Sequence, residues 1–239
     1  MGSEKKFGLT GNQLKILALV AMTIDHIGHF LIPGSSALYI LFRCIGRLAM
    51  PIFAWMIAEG CRYTKNRLRY LLMLLGVGLF SQVVEFVFND SLYMCILITF
   101  AMSVTLIYTL DYSLKKKNFF TLCLLGGVFG AFCYICVFLP GDLPGLDFDV
   151  DYGIYGVMLP VLIYVGRNKQ EKLLLAAGGL ATMAIGYGWL QWFALLSLPL
   201  LALYNGQKGK AKLKYLFYIY YPVHIGVLYV ISVLLGAWI

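Results

Sequence analysis

Blocks of about twenty predominantly apolar residues recur along this chain, and that recurrence limits its possible folds more than any other feature. A membrane-spanning α-helix needs that length. The alternating apolar and polar pattern of barrel strands is absent, so backbone hydrogen bonds in lipid must be closed within helices. The pattern predicts about nine spans, at 12–32, 37–60, 68–88, 92–112, 118–139, 152–166, 172–187, 188–205 and 213–237. Composition agrees: the sequence is 61% hydrophobic and 13% charged, and a water-soluble domain carries about twice that charged fraction. The expected fold class is all-α, a polytopic integral membrane helical bundle forming a single domain over residues 1–239.

The net charge of +8 does not mark a nucleic-acid partner. Lys and Arg fall in short clusters between the apolar blocks, at 5–6, 62–69, 115–117, 167–172 and 208–214. That is the spacing of cytoplasmic loops facing anionic headgroups. With the N-terminus inside, every cluster lies on the cytoplasmic side. The outer connections at 33–37, 89–90, 141–151 and 187–189 then hold no Lys or Arg. The expected location is the cell membrane, multi-pass, with the N-terminus inside and the C-terminus outside. The first apolar block has no small-residue cleavage site and is expected to remain in the mature protein.

Other patterns carry less. The Cys residues lie mostly inside apolar blocks, and "CYIC" at 133–136 reads as packing. Gly126 and Gly130 form a GxxxG expected to support close helix packing. "NDS" at 89–91 is a glycosylation sequon set very close to the membrane. No P-loop, dinucleotide fingerprint or HExxH is present, and Asp142, Asp147, Asp149 and Asp151 do not follow an EF-hand pattern. No metal site is expected.

The chemistry lies in "VAMTIDHIGHFL", residues 20–31. Asp25, His26 and His29 stand there within an apolar helix, on one broad face. His26 lies about 9 Å below the outer end of that span, and Arg43 and Arg47 about 8 and 14 Å below the start of the next. All four side chains can share one layer of the membrane. Charges at that depth cost at least a few kcal/mol each when they face lipid, so they face the bundle interior or each other. Two arginines against one nearby aspartate leave positive charge to spare, which suits an anionic ligand or an oxyanion. A structural Asp–Arg tie between two helices is the simpler alternative. Lys15 sits near the inner end of the first span, Glu59 near the inner end of the second, and His224 mid-span in the last block.

Four stretches, "IDHIGHFL", "GRLAMPIFAWMIAEG", "YGIYGVMLP" and "YYPVHIGVLYV", resemble the TraX family in order along most of the chain. Residues 92–150 match only loosely. The family's namesake N-acetylates a pilin subunit in the inner membrane, and the family is related to a wider superfamily of membrane acyltransferases. Those enzymes carry an Arg, ten residues and then a His on their first catalytic helix; here Lys15 stands in the Arg position before His26.

The resemblance implies transfer of an acetyl group from acetyl-CoA to an amine or hydroxyl of a peptide, pilin or glycan acceptor. His26 is then the expected general base, with Asp25 or His29 tuning it. Arg47, Arg43, His29 and His224 are expected around the substrate or oxyanion. Lys15 and Arg62 are expected near the phosphates of the donor. A transporter or flippase would use the same buried Asp, His and Arg as a relay or anion site, and is the alternative reading.

Overall fold

Thr10 opens the first helix with a capping box: its hydroxyl accepts from the Gln13 N–H while the Gln13 side chain accepts from the Thr10 N–H. Helix α1 then runs Gly11–Leu31. Ser36 caps α2 (Ala37–Gly46) by accepting from the Tyr39 N–H at 3.0 Å. The chain continues through α3 (Ala49–Tyr63), α4 (Arg67–Asn89), β1 (Leu92–Met94), α5 (Ile96–Lys116) and α6 (Phe119–Cys133). A π-helical turn at Tyr134–Phe138 leads into α7 (Leu139–Asp142), then β2 (Phe148–Val150), α8 (Gly153–Val165) and α9 (Lys169–Tyr187). A 3-10 helix at Trp189–Leu196 precedes α10 (Ser197–Ala202), and α11 (Lys214–Leu234) follows. This computed structural model describes residues 7–89, 91–143, 145–210 and 214–236. The Lys pair at 5–6, Asp90 of the sequon, Pro144 of the third outer connection and residues 211–213 of the last basic run lie outside the described residues.

The fold is all-α among the described residues, apart from two short strands. Among the described residues, 5 helical stretches are long and apolar enough to cross a membrane: 11–31, 37–63, 67–87, 96–116 and 119–142. Shorter apolar helices occupy 153–165, 189–202 and 219–234. Helix α9 opens on Lys169, Glu171 and Lys172, which leaves a shorter apolar remainder. Many apolar side chains stand bare on these helices, including Phe119, Phe120 and Leu122 of α6 and Phe80 and Val83 of α4. Such surfaces belong in hydrocarbon.

Three elements differ from the sequence pattern. The expected span 37–60 is broken after Gly46, because Pro51 has no N–H for the Arg47 carbonyl and its ring crowds that carbonyl. The fourth span starts at Ile96 rather than at 92, because Leu92–Met94 pairs in parallel with Phe148–Val150. The span expected at 188–205 is a 3-10 helix followed by the short α10. The GxxxG also differs: a Cβ added at Gly126 or Gly130 would meet nothing within 4 Å among the described residues.

The chain divides into two compact units, residues 1–56 with 169–239, and residues 57–168. In the first, α1 packs on α2 and α11, and the 3-10 helix packs on α2 and α9. Leu14, Ala18, Leu180, Met183 and Leu201 are fully buried there. In the second, α5 packs on α4, α6 and α8 around a core of Met102, Leu106, Cys136, Val150 and Val157.

Candidate functional site

Five ionisable side chains of the first unit, Asp25, His26, Arg43, Arg47 and His224, gather where α1 meets α2 on one side and α11 on the other. Asp25 and His26 are consecutive on α1, so their side chains leave the helix about 100° apart. Asp25 turns to α2 and His26 to α11.

On the α2 side, Gly46 lets the two helices approach closely, since a Cβ there would overlap the Asp25 carboxylate. Arg43 Nη1 donates to Asp25 Oδ2 at 2.7 Å. Arg47, at the C-cap of α2, lies with Nη2 3.7 Å from Asp25 Oδ1. Its Nη1 donates at 3.4 Å to Gln191 Oε1, which the 3-10 helix brings in from the other end of the unit's sequence. One carboxylate thus faces two guanidinium groups, and the centre keeps a surplus positive charge.

On the α11 side, His26 Nδ1 and His224 Nε2 are 2.9 Å apart, and His224 Nδ1 is 2.8 Å from the Tyr220 carbonyl. A carbonyl only accepts, so His224 Nδ1 carries the proton. In the neutral ring His224 Nε2 is then the acceptor, and His26 Nδ1 donates to it. The tautomer of His26 follows: its Nε2 holds the free lone pair. Tyr220 stacks on the His224 ring with centroids 5.1 Å apart and planes 10° apart, and Tyr221 meets the same ring edge-on. The Thr23 hydroxyl donates to the Leu19 carbonyl, so the Tyr220 hydroxyl, 2.7 Å away, donates to Thr23.

The structure therefore brings together Asp25, His26, Arg43, Arg47 and His224. The group that meets the His26 ring is His224, whereas the Asp25 carboxylate is engaged by the arginines. His29 is exposed, with its ring edge against Phe30. Lys15 is on α1 about 16 Å along the axis from His26. Arg62 belongs to the second unit, where it donates to the carbonyls of Tyr164 and Gly166 at the C-terminal end of α8 and lies over the Tyr164 ring. Gln191, Tyr220 and Thr23 were not singled out from the sequence. A lone amide inside "WLQWFALL" was the available signal for Gln191.

An all-α chain with several bilayer-length apolar helices and an Asp–Arg–His centre held between them is a helical membrane protein with a polar interior site. The chain belongs to the TraX family: the family model described as TraX protein matches residues 10–232. It is 28% identical over 240 residues to a probable fimbrial assembly protein FimC, serogroup H1, of Dichelobacter nodosus, covering 90% of this chain and 93% of that protein. It is also 28% identical over 163 residues to an uncharacterized protein of Rickettsia prowazekii (strain Madrid E), covering 68% of this chain and 58% of that one. No solved structure matches.

Proposed function

We propose that this protein is an acyltransferase of the cell membrane, moving an acetyl group from acetyl-CoA to an amine or hydroxyl acceptor, with a pilin or other peptide N-terminus as the foremost candidate. The observation that carries the reading is the His26–His224 pair. Its hydrogen bonds fix His26 in the tautomer whose Nε2 can take a proton. An amine or hydroxyl becomes an effective nucleophile only as it loses a proton, and a positioned imidazole contributes about 10²–10⁴-fold to such a step. His224 and the stacked Tyr220 hold the ring in place, and the Tyr220 carbonyl sets the tautomer. Membership of the TraX family and a relative named for fimbrial assembly supply the pilin-like acceptor.

In this reading His26 Nε2 accepts the proton of the attacking nitrogen or oxygen and later returns it to the departing CoA thiolate. The surplus positive charge of Arg43 and Arg47 faces the oxygen that becomes negative in between. The acetyl donor enters from the cytoplasm, with its phosphates toward Lys15. The N-terminus is cytoplasmic and the C-terminus lies outside.

Acetyl-CoA binding in detergent tests the proposal, read as thermal unfolding of the wild type beside His26→Ala and Arg47→Ala. A bound donor at a hundredfold excess over its dissociation constant stabilises a fold by about 2.7 kcal/mol. Wild type and His26→Ala shift with acetyl-CoA and not with an unrelated nucleotide. CoA thiol release disappears in His26→Ala. A folded wild type that no acyl-CoA shifts would sink the enzyme reading and leave the Asp–His–Arg centre to be tested by proton and anion flux.

A further inference from the structure

Gln191 is 2% exposed, held in the 3-10 helix between Trp189 and Leu196. The direction of its amide follows from chemistry. Arg47 has N–H groups and no acceptor, so only Oε1 can face it. Nε2 is thereby turned away from the guanidinium. It is buried and finds no hydrogen-bond acceptor among the described residues. Across Arg47, the Oδ1 atom of Asp25 is buried and receives no hydrogen bond among the described residues either; Arg47 Nη2 stands 3.7 Å from it. The two branches of one guanidinium are thus flanked by an unsatisfied donor and an unsatisfied acceptor. Native interiors leave few such atoms unpaired, and two of them either side of one guanidinium call for a shared explanation. A group offering both a carbonyl oxygen and an N–H or O–H complements this pair. An acetyl group being joined to an amine or hydroxyl is such a group.

We infer that Gln191 is a catalytic residue whose Nε2–H hydrogen-bonds the acyl oxygen during transfer, an inference that rests on the acyltransferase reading. The acceptor nitrogen or oxygen attacks the thioester carbonyl carbon, and the carbonyl π pair moves onto the acyl oxygen. Gln191 Nε2–H donates to that oxygen, while His26 Nε2 removes the acceptor's proton. The pair then returns, the C–S bond breaks, and the CoA thiolate takes the proton from His26. An amide donor is suited to this place because it adds a hydrogen bond without adding a further charge to a centre that already holds two arginines.

The test is CoA thiol release from acetyl-CoA by the full chain in detergent, with water or an alanyl peptide amide as acceptor. Wild type is compared with Gln191→Met and Gln191→Glu. The first keeps the size of the side chain, the second keeps the acceptor toward Arg47, and both lack the N–H. The expected result in both is a fall in kcat of about 10²–10³-fold, the usual effect of losing one oxyanion donor. KM for acetyl-CoA and the unfolding temperature stay near wild type. An active wild type with equally active variants overturns the role of Gln191 and leaves the acyltransferase reading intact. So does a loss of activity that tracks a lowered unfolding temperature in both variants. A folded wild type that releases no thiol overturns the acyltransferase reading and the inference with it.

Discussion

Gly46 lacks a side chain where α1 and α2 cross, and Asp25 fills the space a Cβ would need. The Asp25–Arg43 bond and the 3.7 Å approach of Arg47 both depend on that crossing. Gly46→Ala should therefore push α2 off α1 at the polar centre. Overpacking of this kind costs about 1–3 kcal/mol. The expected outcome is a lower unfolding temperature in detergent together with loss of acetyl transfer. Unchanged stability and activity would mean that the two helices separate without cost, and that the arginines do not need Asp25 to stay in place. Asp25, His26, Arg43 and Arg47 were all legible in the sequence, because ionisable groups stand out in apolar blocks and helical rise gives their depth. The division of labour was not. Consecutive residues on a helix face different neighbours, and only the packing of α11 decides that His26 meets His224 rather than Asp25. Gln191 was hidden for a related reason: an uncharged amide hardly alters the hydropathy of its block.

At the scale of elements, the 3-10 helix before α10 lengthens the reach of its segment. A 3-10 helix rises about 2.0 Å per residue against 1.5 Å in an α-helix. Trp189–Ala202 therefore reaches about 25 Å, where an α-helix of the same length would reach about 21 Å. The stretch also sets Gln191 against Arg47. Its start is fixed by Gly188, whose φ of 90° and ψ of −175° lie in a region open essentially to glycine alone. Gly188→Ala should cost about 1–3 kcal/mol and displace the first turn of the 3-10 helix. Thermal unfolding and acetyl transfer should fall together, with Gln191 as the residue through which activity is lost. A variant of wild-type stability would show that α9 can simply extend through position 188. Sequence periodicity placed the turn at 187–189 but could not distinguish 3-10 from α geometry, since an almost wholly apolar stretch shows no period to read. It also missed the pairing of Leu92–Met94 with Phe148–Val150, which joins segments far apart in the chain.

For the whole molecule, the decisive quantity is the parity of the spans. Helices α1, α2 with α3, α4, α5 and α6 with α7 supply the long apolar stretches. The remaining reach comes from α8, α9, the 3-10 helix with α10, and α11, each shorter or less apolar. If all of them cross, the count is about nine and every basic run from 62–69 to 208–214 faces the cytoplasm, as the positive-inside rule favours. If α8, α9 or the 3-10 helix with α10 lies on the surface instead, the parity changes and at least one basic run moves outside; α11 follows every basic run, so its crossing decides only the side of the C-terminus. A short span costs only fractions of a kcal/mol per Å of mismatch, because the bilayer thins to meet it. Exporting a Lys-rich loop opposes the charge bias that sets orientation. That balance favours crossing by these three, and the 21 residues of α11 are enough for one more crossing, which would put the C-terminus outside. Alkaline phosphatase fused after residue 239 should be active and green fluorescent protein at the same point dark, with the reverse at the 115–117 loop. A fluorescent C-terminal fusion would remove one of the four shorter helices from the membrane. Unless that helix is α11, it would also put the donor's entry side in question, since the basic runs would no longer all face the cytoplasm.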